Sequence, residues 1–298
     1  MSSVTTMDEP AAAQLAASAL GDRGVVEVAG DDAPSFLQGL VTNDVLGLGG
    51  EARYAALLTP QGKILFDFLV VGNPTASAPR YYLDCPSALA ADLVKRLSLY
   101  KLRAKVTVVD RSDTLGVIAT WGASREDLGL AADDVRADYA DPRREGLGRR
   151  LIVARTTFPA LPGAVREAGA VYERHRIELE IPKGGVDFAY ADAFPHEANF
   201  DRLHGVDFKK GCYVGQEVVS RVEHRGLARK RIVGVRFAGE APPAGAAVTA
   251  GEVDLGIMGS SAEGMGLALL RLDRVETAVA AGTPIISGQT RLEVSSRE

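Results

Sequence analysis

The sequence predicts an α+β protein with a small all-β module at its C-terminus. Three observations carry this. A strand–turn–strand unit at Tyr54 to Val71 is followed by an amphipathic helix at Ala88 to Tyr100. Strand-like and helix-like segments continue in mixed order as far as Arg225. From Arg231 onward only short alternating runs remain, separated by Gly and Pro turns. The chain has 298 residues, more than one typical core, so two or three domains are expected.

Taken in order, Gly24 to Ala29 alternates as a strand and Gly30-Asp31-Asp32 turns it. Asp32 is placed to cap a helix with Pro34 in its first turn and Phe36, Leu37, Leu40 and Val41 on its apolar side. Thr42-Asn43-Asp44 then reads as a helix C-terminus with turn residues. Tyr54 to Leu58 and Lys63 to Val71 are two strands around Thr59-Pro60-Gln61-Gly62. In the second strand Asp67 shares a face with Leu65, Leu69 and Val71. A carboxylate in such a row must be paired, hydrogen-bonded or facing a cavity, because burying it alone is very costly. Leu89, Leu93 and Leu97 give the next helix its apolar stripe, and Lys101 to Lys105 add charge at its end. Strands follow at Val106 to Val109 and Thr114 to Thr120. Ala131 to Arg150, with Pro142 and Gly146, reads as a loop, and Leu151 to Ala154 as a strand. Ala164 to Glu178 is mixed helical sequence, ahead of a Gly- and Asp-rich loop reaching Ala193. In the tail, strands are expected at Arg231 to Phe237, Gly256 to Gly259, Leu267 to Leu272, Pro284 to Ile286 and Leu292 to Val294.

Composition narrows the class. The chain is 46% hydrophobic and 24% charged with a net charge of −5, which argues against non-specific nucleic-acid binding by the whole surface. Its N-terminus lacks the pattern of a signal peptide and no apolar run approaches a membrane span, so no membrane partner is expected. Cys85 and Cys212 cannot build a disulfide framework and lack the paired spacing of a zinc or iron–sulfur site. A reducing cytoplasm is the expected location.

The densest chemistry lies in Lys209-Lys210-Gly211-Cys212-Tyr213-Val214-Gly215-Gln216-Glu217. Gln216 to Arg225 reads as a short helix with Val218, Val219 and Val222 on one face and Gly226 as its stop. Cys212 then sits just before a helix N-terminus and beside two ammonium groups, both of which favour a thiolate. The local sequence leaves this open against a small buried hydrophobe in a tight turn. Pro195-His196-Glu197 opens a polar loop, but one histidine without a spaced partner is a weak metal signal, and no metal is expected. Arg221, His224, Arg225, Arg229, Lys230 and Arg231 put six basic-type residues within 11 positions. Such a patch suits a polyanion, whether a polyglutamate tail, a phosphate or tRNA, or is solvated charge at a domain boundary.

With these residues in view, the chain resembles the folate-binding YgfZ family, a relative of the aminomethyltransferase (T-protein) of the glycine cleavage system. Lys210-Gly211-Cys212-Tyr213-Val214-Gly215-Gln216-Glu217 matches the family's K-G-C-Y-x-G-Q-E signature at every fixed position. Phe36-Leu37-Gln38-Gly39 with Thr42-Asn43-Asp44, Gln61-Gly62-Lys63, Pro195-His196-Glu197 and His224-Arg225-Gly226 add linked matches in the family's order. The resemblance implies a three-domain T-protein-like ring around a central folate cavity. Residues 1–48 and 110–228 would form a discontinuous first α+β domain, 49–109 an inserted one and 229–298 a small β-barrel. It also implies tetrahydrofolate as cofactor, with Glu197 on the pterin ring and Asn43 and Asp67 lining the same cavity. The implied role is support of iron–sulfur cluster assembly or repair through assembly or client proteins, with Cys212 as a reactive thiolate. The alternatives are a folate-dependent aminomethyl transferase and, further off, a tRNA-modification factor. Against the transferase, T-proteins carry two adjacent acids where this chain reads Phe66-Asp67.

Overall fold

The structure, a computed structural model, describes residues 16–73, 76–226 and 229–295. β1 (Ala17–Leu20) is followed at once by β2 (Arg23–Ala29), α1 (Ala33–Gln38), β3 (Ala52–Leu58), β4 (Ile64–Gly72), β5 (Arg80–Pro86), α2 (Ala90–Lys101) and β6 (Thr107–Asp110). β2 to β6 form one five-stranded sheet in the order β3-β4-β5-β2-β6. β7 (Leu115–Thr120), β8 (Val135–Ala140) and β9 (Arg149–Ala154) then join β1 in a second sheet, order β1-β7-β9-β8. α3 (Gly163–Arg166), α4 (Gly169–Glu178), a long irregular segment and α5 (Gln216–Arg225) lead to the tail.

The tail is a closed barrel. β10 (Lys230–Phe237), β11 (Ala247–Ala250), β12 (Val253–Ala262), β13 (Met265–Arg271), β14 (Ile285–Ser287) and β15 (Thr290–Val294) close in the order β10-β13-β12-β11-β14-β15, with α6 (Leu272–Ala280) before β14. Closure leaves no free sheet edge. Among the described residues no helix is long and apolar enough to cross a membrane.

β4 explains why the five-stranded sheet is covered on both faces. Phe66, Phe68 and Val70 pack with α1 and α2, while Leu69 and Val71 face a second core shared with the β1–β7–β9 sheet and the 188–219 segment. Asp67 lies on that second side, as the period of two requires. A bulge between Leu57 and Leu58 brings Ile64 to the same side, out of step with the simple alternation.

The expected boundary at residues 48 and 49 is corrected. β2 pairs with β5 on one side and β6 on the other, so residues 23–38 belong to the unit expected as an insert. The reason is backbone satisfaction: an interior strand gives every N–H and C=O a partner only if both neighbours are present. Among the described residues before 49, only β1 adds a strand to the β7–β9–β8 sheet.

Several elements were not foreseen, among them the short strands β1 and β11. β5 is buried on both faces between half-buried Arg80 and Pro86, so no alternation marks it. β8 is an edge strand inside the expected 131–150 loop. α6 follows β13 without a break where a strand ending at Leu272 was expected. Asp32 is also not the side-chain cap foreseen for α1, since its Oδ2 accepts the Lys105 backbone N–H at 2.7 Å.

Candidate functional site

The cysteine motif is held to the β3–β4 turn by backbone contact. α5 occupies the expected residues, and its N-cap, Gly215, sits at φ +83°. A Cβ there would lie 2.5 Å from the Thr59 carbonyl oxygen and 3.1 Å from Gly62 Cα. Reciprocally, a Cβ on Gly62, at φ +82°, would lie 2.9 Å from Val218 Cβ. Only glycine allows both the left-handed backbone and this approach. Gly215→Ala is therefore expected to destabilise the protein by about 1–3 kcal/mol, read as a lower denaturant midpoint. Gly211→Ala, where a Cβ meets nothing within 4 Å, should stay within ~0.5 kcal/mol.

Lys210 is the second anchor. Its Nζ donates to the carbonyls of Gln38, Val41 and Asn43 at 2.9, 2.7 and 2.8 Å and lies 5.3 Å from the Tyr213 ring centre. This departs from the expectation that its ammonium sits beside the thiol: the C-terminal end of α1 offers unpaired carbonyls, and the ammonium goes there. Burial lowers the Lys210 pKa to about 8. Tyr213 is buried, which raises its phenol to about 12, and its backbone N–H donates to Gln216 Oε1 at 3.0 Å. Glu217 is exposed and paired with Arg221 at 2.7 Å. Cys212 is left exposed on a loop pinned on both sides, three residues ahead of the α5 N-cap. Cys85, by contrast, is buried, and burial pushes its thiol up to about 12.

A separate narrow cleft, with room of about 60 Å³, opens between the two sheets and α4. It is lined by Arg23, Asp67, Arg143, Arg150, Glu173 and Lys183 among others. The barrel contributes no lining residue to this cleft but makes contact beside it. Ser260 of β12 makes that contact: its Oγ accepts from Arg176 Nη2 at 2.6 Å and donates to Asp187 at 2.8 Å.

Asp67 lies in this cleft. It is 5% exposed and accepts the hydroxyls of Tyr54 and Tyr190 at 3.1 and 2.5 Å. Behind it, Arg150 of β9 donates to Asp84 of β5 at 2.7 Å and to Asp141 at 3.0 Å. Arg23 and Arg143 complete the network. Burial by itself raises the Asp84 carboxyl, but the guanidiniums of Arg23 and Arg150 hold it below its ordinary value. Asp141 is likewise held below its ordinary value, against burial, by Arg143 and Arg150.

Asn43 and Glu197 are not in the cleft. Asn43 is buried, donates to the carbonyls of Tyr54 and His204 at 2.8 and 2.6 Å, and borders a different groove beside Phe208. Glu197 turns back on its own loop, where Oε2 accepts the Phe194 N–H at 2.9 Å. The basic patch is also divided. Arg231 is bidentate to Asp201 and Arg221 is bound to Glu217, leaving Arg229 exposed and Lys230 half-buried. The Arg225 side chain lies outside the described residues. Asp84 and Glu173 were overlooked in the sequence. Asp84 carried the same signal as Asp67, an acid inside an apolar strand, whereas Glu173 had none.

Two α/β sheets around a cleft, a closed C-terminal barrel and an anchored cysteine loop define a T-protein-like fold with a site of its own. Residues 17–143 match the GCVT N-terminal domain and residues 229–298 the CAF17 C-terminal beta-barrel domain. The aminomethyltransferase T of the Bartonella henselae glycine cleavage system superposes with a TM-score of 0.71 over 94% of this chain and 84% of its own, at 17% identity, a likeness of fold. The mitochondrial iron-sulfur cluster assembly factor IBA57 is 34% identical in both Homo sapiens and Mus musculus. Those alignments cover 90% and 86% of this chain and 81% and 78% of the relatives. The Mycosarcoma maydis homolog is 37% identical over 74% of this chain, which spans 58% of that relative's length.

The chain belongs to the IBA57 family of the T-protein-like group. The expected cytoplasmic location is overturned by these relatives, which are named as mitochondrial.

Proposed function

We propose that this protein is a folate-binding accessory factor of the YgfZ type that supports iron–sulfur cluster assembly in client enzymes, with Cys212 as the working group. The observation that carries it is an exposed cysteine on a loop fixed by Gly215, Gly62 and Lys210. Such a thiol meets a partner without first ordering its own loop, which removes an entropic cost from capture. The relatives' names supply the iron–sulfur context. Transfer of an aminomethyl group is disfavoured by Phe66, whose side chain packs away from the cleft with α1 and α2.

Tetrahydrofolate belongs in the two-sheet cleft. An ionised carboxylate offers about four lone-pair sites, and Asp67 uses two of them on tyrosine hydroxyls. The remaining capacity suits the N–H edge of a pterin. Glu197 does not fit that role, because it lies outside the cleft and its carboxylate caps its own loop. Calorimetric titration of tetrahydrofolate is expected to show binding by wild type and Glu197→Ala, and binding at least about tenfold weaker by Asp67→Asn, the loss of roughly 1.4 kcal/mol or more that a charge-assisted hydrogen bond supplies. Equal affinity in all three would remove the cleft from the proposal.

A further inference from the structure

His196 has no part in the cleft or in the cysteine loop, yet its surroundings are unusual. The residue is 2% exposed. Its Nε2 meets a Glu223 carboxylate oxygen at 3.0 Å, and its Nδ1 is buried with no hydrogen-bond partner among the described residues. Glu223 comes from the last turns of α5, and Asp201 from the loop that follows His196. One ligand atom from each of His196, Asp201 and Glu223 lies within 4.8 Å of the other two.

A hydrogen bond to carboxylate fixes which imidazole nitrogen carries the proton and leaves the other with a bare lone pair. Burying that lone pair without a partner costs about 1–3 kcal/mol. An ion held by both His196 and Glu223 takes the proton's place between Nε2 and the carboxylate, with Asp201 as the third donor. An imidazole with two carboxylates is a donor set that suits first-row divalent ions such as Zn²⁺, Fe²⁺ and Co²⁺. Arg231 donates to both Asp201 oxygens, at 2.9 and 2.6 Å, and to the His196 carbonyl at 2.9 Å. It orients Asp201 and offsets one of the two negative charges, and the carboxylate keeps lone pairs beyond those two bonds.

We propose that His196, Asp201 and Glu223 form a binding site for one first-row divalent cation, which ties α5 to the 194–205 loop. This revises the expectation of no metal drawn from a single histidine without a spaced partner. The site is independent of folate binding and of Cys212, because it shares no residue with the cleft or the cysteine loop.

The test is calorimetric titration of Zn²⁺, and of Co²⁺ followed by visible absorption, into the untagged full-length chain. Wild type and Cys212→Ser are expected to bind one equivalent with equal affinity, and bound Co²⁺ should show no thiolate charge-transfer band. Glu223→Gln and His196→Ala should each bind at least about tenfold more weakly. Glu223 is 43% exposed at its side chain, so its variant folds even where the His196 variant does not. Absence of binding by wild type, undiminished binding by Glu223→Gln, or loss of binding in Cys212→Ser each overturns the site.

Discussion

Cys212→Ser is expected to abolish maturation of client iron–sulfur enzymes while leaving the fold untouched. The side chain is exposed and its removal opens no cavity, so stability should change by less than ~0.5 kcal/mol. Serine keeps the size but neither forms a thiolate at neutral pH nor exchanges with sulfur. The measurement is client-enzyme activity in cells lacking their own factor and supplied with the variant, beside a denaturant melt of the purified protein. Activity at the level of the unsupplied cells, with an unchanged melt, is the predicted pair. Full rescue by the serine variant would remove the cysteine from the function.

The second large effect is structural. Asp84→Ala should cost about 3–5 kcal/mol, because it strands two arginines that were desolvated to meet it. Arg23 and Arg150 both donate to Asp84, and Arg150 is 4% exposed at its side chain. Since whole domains are stable by roughly 5–15 kcal/mol, this loss takes a large share. It falls where the β9 sheet meets the β5 sheet, so the cleft should loosen with it and any ligand affinity should drop as well.

The same network sets the acid limit. The folded-state values of Asp84 and Asp141 lie below their unfolded ones. Their contribution is therefore complete above the unfolded aspartate value of about 3.9 and is lost as pH falls below it towards the folded values. Stability should decline with acid below about pH 4, and the Asp84→Ala variant should show a shallower decline there. A parallel acid profile in the two proteins would mean that Asp84 is not among the groups that titrate on unfolding.

Much of this protein was legible before its structure. The β3–β4 hairpin, α2, α5 and the all-β tail each follow from short-range rules: a turn tetrapeptide, an i, i+4 leucine stripe, a glycine stop and a change to period two. The K-G-C-Y-x-G-Q-E octapeptide pointed to Cys212 and to the family group. What was not legible shares one physical cause. β5 and β8 are specified by what they pair with, not by their own pattern. Glu197 and Asn43 sit in polar loops whose side-chain directions no local rule predicts, and both turned to backbone groups close at hand.

Sequence alone determined the β3–β4 hairpin, α2, α5, the all-β tail and the place of Cys212 just ahead of a helix, because these depend on residues near each other along the chain. Tertiary structure decided the rest. It placed β2 in the five-stranded sheet between β5 and β6, aimed Lys210 at the end of α1 instead of at the thiol, and kept only Asp67 of the three expected folate residues in the cleft. It also brought Glu223 and Asp201 to a histidine that had no partner in sequence. Each of these outcomes is set by burial: once water is excluded, every polar group takes the nearest partner in space, and nearness in space is a property of the fold.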